Sequence, residues 1–163
     1  EVAAGLKRAI AFRARTHTND ILALSQRDIT QFDGARRAWA ASLEAANLGL
    51  YDLDLVETHD CFTVAELLEY EAMGLAEPGK GADVIREGIT HKDGRLPVNL
   101  SGGLKSKGHP IGATGVSMHI MAAMQLAGEA PEGMQASNAQ LAGVFNMGGA
   151  AVANYMSVLE RVK

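Results

Sequence analysis

The sequence predicts an α/β layer fold, and three observations carry that expectation. Strand-like runs alternate with runs at helical spacing along the chain, the pattern of a sheet with helices packed on it. The last two extended runs are joined by a short glycine turn, which reads as an antiparallel hairpin added to the sheet. Composition is that of an ordinary globular chain, 47% apolar and 21% charged. Its 163 residues suffice for one good-sized core, so residues 1–163 read as one domain.

The elements follow in order. Residues 6–15 carry apolar positions with interspersed arginines and suit a strand; Thr16 to Asp20 then reads as turn chemistry, with a loop to about Gln31. Asp33 is placed to cap a helix through Asn47, with Ala35, Ala38, Trp39, Ser42, Leu43 and Ala46 on one face. Tyr51 to Glu57 alternates and then runs apolar, as a strand does. Val64 to Met73 is helical and Gly74 is a good stop. Residues 76–96 read as an excursion with a short helix at 80–87, and Pro97 to Leu100 as a short extended piece. Residues 112–127 form an apolar helix. Leu141 to Phe145 is a strand, Asn146 to Gly149 a tight turn, and Ala150 to Leu159 a final strand.

Several function classes are disfavoured. The net charge is −4 and no basic run occurs, which argues against a nucleic-acid surface. The apolar segment at 116–127 is too short to span a membrane and carries His119 and Gln125. Cys61 is the only cysteine, so no internal disulfide or multi-cysteine metal site forms, and a reducing, cytoplasmic setting is expected. The chain starts at Glu1 and not Met, as a fragment would.

Three segments carry chemistry: Thr58-His59-Asp60-Cys61-Phe62, Gly108-His109-Pro110 and Asn146-Met147-Gly148-Gly149. Each is read as a polar turn after a strand, where sites in α/β sheets gather. His109 sits between Gly108 and Pro110, at a rigid corner before a helix. Converging, such a set supports acyl transfer or carbanion formation beside a carbonyl. An imidazole takes a proton, positioned N–H donors hold an oxyanion, and a thiol of lowered pKa moves a second proton. Each residue also has a plainer reading. Cys61 at a helix start is commonly a small buried apolar residue, His59 caps the following helix, and Gly148-Gly149 is only a hairpin turn. His109 is then an incidental surface histidine. Metal-ligand spacing is lacking around His109 and His119, and no metal is expected. Gly112 to Gly115 lacks the Walker ending.

Together these segments resemble the C-terminal half of a thiolase. Asn99-Leu-Ser-Gly-Gly-Leu-Lys-Ser-Lys-Gly-His-Pro-Ile-Gly-Ala-Thr-Gly115 resembles the thiolase histidine loop. His59-Asp60-Cys61-Phe62 resembles the form found in the sterol-carrier-protein-linked subtype, where many thiolases have Asn-Glu-Ala-Phe. Asn146-Met147-Gly148-Gly149 stands where ordinary thiolases carry a second catalytic cysteine, which is missing here. The resemblance implies that Cys61 takes over that role. It implies a mixed five-stranded sheet with packed helices, half of an αβαβα sandwich. It also implies that the nucleophilic cysteine lies in an N-terminal half absent from this chain.

The implied reaction is a reversible thioester Claisen condensation, with thiolysis of 3-ketoacyl-CoA as its reverse. His59, Cys61 and His109 are the implied catalytic residues, and Asn146, Gly148 and Gly149 form the oxyanion loop. Coenzyme A thioesters are substrates, and no permanent cofactor is implied. The intact protein is expected to be a homodimer or tetramer, and this half alone to be inactive. Two rivals remain: a thiolase-like aldolase splitting a β-hydroxyacyl-CoA, and a non-catalytic acyl-CoA-binding subunit.

Overall fold

The computed structural model describes residues 5–163. A mixed sheet is built from β1 (Ile10–Asn19), β2 (Leu55–Thr58), β3 (Leu141–Gly148) and β4 (Ala153–Arg161). Its strand order is β1-β4-β3-β2. The β1–β4 and β3–β4 pairs are antiparallel, and β2–β3 is parallel. The predicted C-terminal hairpin is present as β3–β4.

Side-chain alternation divides the core into two layers. From β3 and β4, Phe145, Met147, Met156 and Val158 face α1 (Asp33–Ala46) and α2 (Thr63–Met73), around Trp39 and Tyr70. Ala142, Val144 and Leu159 face α5 (Thr114–Ala127), against Met118, Ala122 and Leu126. On β2, Val56 joins the first layer and Leu55 the second. The next two residues continue the alternation: Thr58 points toward α2 and Glu57 toward α4 (Gly103–Lys107). A short α3 (Gly81–Arg86) lies where a helix at 80–87 was expected, and α2 ends on Gly74 at φ 90°.

The structure corrects several boundaries. The sheet has four strands, not five, because Pro97 to Leu100 contributes only a single parallel bridge, Val56 to Val98. Thr16 to Asn19 is strand and not turn. Pairing with β4 overrides its turn propensity, and His17 stacks on Tyr155 at 4.4 Å. Asp33 does not cap α1. It lies inside the first turn, paired with Arg36, while Asp20 Oδ2 accepts the Gly34 N–H at 3.0 Å. Backbone hydrogen bonds to that carboxylate, from Ile21 first, hold Asp20 below the usual carboxylate range. Leu50–Asp52 is a 3₁₀ turn, so β2 starts later than expected. Asn146 to Gly148 is strand; the turn comes at Gly149, Ala150 and Ala151, with φ of 62°, 53° and 62°. The helix α4, which sequence spacing does not reveal, leads into Gly108-His109.

Candidate active site

His59 and Asp60 leave the end of β2, and α4 is fastened directly beneath them. The buried Asp60 carboxylate accepts the Leu104 N–H at 2.6 Å through Oδ1. It replaces the cap that Gly102, lacking a side chain, cannot supply. Gly103 is needed here twice over. Its φ is +64°, and a Cβ would stand 2.1 Å from Asp60 Oδ2.

His109 follows α4 and is not in a turn after a strand, contrary to the sequence reading. Its Nδ1 lies 2.7 Å from Thr114 Oγ1. The Thr114 hydroxyl donates to Pro110 O at 3.1 Å, so it accepts from His109 Nδ1–H. In the neutral ring this places the proton on Nδ1 and the lone pair on Nε2, the tautomer a general base needs. The Thr114 contact is invisible in the sequence as a role, although its i+5 spacing to His109 was available.

The two imidazoles meet edge to face, with ring centroids 4.9 Å apart and planes at 90°. His59 Nδ1 lies 2.5 Å from Asn146 Oδ1, an interaction made possible by the parallel register that sets Thr58 beside Phe145. Nδ1–H facing Oδ1 leaves Nε2 as an acceptor. The same amide presented by its Nδ2 leaves Nε2–H as a donor. Burial holds the His59 pKa below its ordinary value, with the Asn146 hydrogen bond opposing. His59 is therefore neutral at pH 7, and its tautomer depends on Asn146. It does not cap α2, whose N-cap is Phe62.

Cys61 is a half-buried free thiol in the same pocket. The expectation of a lowered pKa is overturned. Burial pushes the thiol up. Such a thiol rests protonated and acts first as an acid. His59, Cys61, His109, Asn146, Gly148 and Gly149 line one cavity of about 600 Å³. Its far wall is apolar, formed by Ile29, Phe32, Val64 and Leu68. Ile29 and Phe32 come from a connecting segment with no sequence signal for such a role. His119 stays outside, held between Gly115 O and Ser157 Oγ. Among the described residues, no group of three or more His, Cys, Asp or Glu side chains is placed to share a metal ion. Among them, no helix is long and apolar enough to cross a membrane.

A family model for Thiolase C-terminal domain-like sequences matches residues 16–161. The chain belongs to this thiolase C-terminal family. It is 40% identical over 138 residues to an acetyl-CoA acetyltransferase of Methanothermobacter thermautotrophicus, covering 84% of this chain and 36% of that protein. It is 43% identical over 117 residues to sterol carrier protein 2 of Homo sapiens, covering 72% of this chain and 21% of that protein. The chain thus spans about a third or less of the length of these relatives. A solved structure described as an Ltp2-ChsH2(DUF35) aldolase superposes with a TM-score of 0.79 at 19% identity, over 97% of this chain and 41% of that one. That likeness establishes the thiolase-like fold alone.

Next to His59, at the end of β2, lies a carboxyl group in an unusual state. Glu69 on α2 is fully buried, and Thr58 Oγ1 donates to its Oε2. Burial raises its pKa well above the ordinary value, against the Thr58 hydrogen bond. The native state therefore holds this proton where the unfolded chain, with a carboxyl pKa of about 4.3, releases it. Its contribution to stability is complete below that unfolded pKa and is lost as pH rises through the native one. Melting temperatures from pH 4 to 8 are expected to fall with pH more steeply for the wild type than for Glu69→Gln. Parallel curves would show that Glu69 is not the titrating group.

Proposed function

We propose that this chain is the C-terminal half of an acetyl-CoA C-acyltransferase, catalysing reversible thioester Claisen condensation and thiolysis of 3-ketoacyl-CoA. The observation that carries the reading is the convergence of His59, His109 and Cys61 on one cavity backed by Gly148 and Gly149. The acetyl-CoA acetyltransferase name of a relative points the same way. The presence of His59, Cys61 and His109 favours this reading over the aldolase alternative.

In thiolysis, His109 Nε2 takes the proton of a cysteine thiol supplied by the N-terminal half. The thiolate attacks the 3-keto carbonyl. The bond between C2 and C3 then breaks, leaving an acyl-cysteine and the enolate of acetyl-CoA. His109 Nε2–H and His59 Nε2–H hold the enolate oxygen, each worth about 3–4 kcal/mol. His59 serves as this donor when Asn146 presents its amide nitrogen. Cys61 gives its proton to the enolate carbon. Coenzyme A thiol then gives its proton to the Cys61 thiolate and takes the acyl group from the cysteine, whose released thiolate recovers the proton held at His109 Nε2. A thiol that rests protonated suits this direction. The backbone around Gly148 and Gly149 provides a second oxyanion position.

An exposed apolar face accompanies the site. Phe12, Ile111, Val116 and Ile120 border a groove along β1 and α5, with Ile111 88% exposed. We assign that face to the N-terminal half, and the intact protein to a dimer or tetramer in the cytoplasm. The single reduced cysteine suits such a compartment.

The test uses the full-length protein with Cys61→Ser. Exchange of acetyl-CoA methyl protons in D₂O is expected to slow at least about 100-fold. Mass spectrometry should still detect an acyl-enzyme with acetoacetyl-CoA. Exchange at the wild-type rate would remove Cys61 from the reaction. Cleavage of a β-hydroxyacyl-CoA without any acyl-enzyme would assign the chain to the aldolases.

A further inference from the structure

An ion pair joins β2 to α4 outside the chemistry just described. Glu57 is fully buried two residues before His59. Its Oε2 accepts Ser101 Oγ–H at 2.6 Å and Lys107 Nζ–H at 3.3 Å, and its Oε1 accepts the Ser101 N–H at 3.2 Å. Lys107 Nζ also donates to Ser101 Oγ at 2.7 Å. The lysine side chain is only 23% exposed. A buried pair of this kind adds little net stability over an apolar replacement, and its best-attested use is to fix register.

Each member of the pair stands two residues before an imidazole. Glu57 and His59 lie at alternate positions at the end of β2, about 7 Å apart along the chain. Lys107 and His109 are likewise two residues apart, separated only by Gly108 at φ 95° and ψ 162°. Two arms of two residues each thus leave one ion pair, and their tips are the rings in edge-to-face contact at 4.9 Å. His109 has a second fixed point at Thr114, and His59 at Asn146.

We propose that Lys107 and Glu57 are positioning residues that set the separation of the His59 and His109 imidazoles. The proposal rests on the reading of those histidines as the reacting pair. The test is the double variant Glu57→Gln/Lys107→Met in the full-length protein, which strands neither charge. A melting temperature near wild type is expected, with kcat for thiolysis lowered about 10- to 100-fold and KM for the CoA thioester little changed. In its crystal structure the His109 ring should stand displaced by about 1 Å, a misplacement large enough for that loss. The double variant Glu57→Gln/Lys107→Gln, which also strands neither charge and keeps hydrogen-bonding groups beside Ser101, is read by the same measures if the first does not fold. An unmoved His109 ring, or a kcat that recovers together with stability in the double variant, overturns the proposal. If the wild type shows no thiolysis, the functional reading fails, and the ring position alone decides the positioning role.

Discussion

Alanine in place of His109 is expected to lower kcat for acetoacetyl-CoA thiolysis by the full-length protein about 10³- to 10⁴-fold. Two losses combine. A positioned general base contributes typically about 10²- to 10⁴-fold, and an oxyanion donor about 10²- to 10³-fold. They are not additive here, because one nitrogen performs both roles in turn. As a base, Nε2 is bare because Nδ1–H is committed to Thr114. After taking the proton, the same Nε2–H faces the developing enolate. KM should change little, since neither role acts on the ground state. Steady-state assay at saturating CoA provides the check. Wild-type turnover in the variant would remove His109 from the mechanism.

The largest expected effect on stability comes from a position with no catalytic role. Gly103→Ala is expected to destabilise the chain by about 3–5 kcal/mol, seen as a shift in the urea midpoint at unchanged slope. The left-handed backbone accounts for about 1 kcal/mol of this. The remainder comes from Asp60. A methyl group at Gly103 meets both oxygens of a buried carboxylate, at 2.1 and 2.7 Å. Asp60 cannot yield without releasing the Leu104 N–H, which leaves a buried charge short of partners. A midpoint within error of wild type would mean that α4 moves freely away from β2.

The sequence made the layers of this fold readable because its apolar periods are clean. Ala35, Ala38, Trp39, Ser42 and Ala46 recur at helical spacing and are buried on α1. Val144/Phe145 and Met156/Ser157 alternate between the two faces. Local propensity misled where long-range pairing decided the outcome. Thr16 to Asn19 has turn chemistry but lies against β4, and Asp33 has the makings of a cap but Asp20 serves its helix. The helix α4 has five residues, too few for a period to show, and it stands on a carboxylate 44 residues upstream.

At the site, His59, Cys61 and His109 were legible because glycine, proline and aromatic neighbours frame them as motifs. Their roles were less so. The direction of the Cys61 shift is set by burial, which only the folded packing supplies. The His59 tautomer is set by Asn146, and the His109 base form by Thr114. Glu57 and Lys107 read as a strand residue and a surface lysine until α4 places them together.

The parallel pairing of β2 with β3 has a kinetic consequence. His59 and Asn146 are 87 residues apart, and α2, α3, α4 and α5 all lie between them. Neighbouring parallel strands separated by so long a crossover must pay the loop-closure entropy before any contact rewards it. The hairpin β3–β4 is local and has no such delay. Contact order therefore predicts that the hairpin forms early and the β2 edge late, with the pair of residues that decides how His59 holds its proton among the last to meet.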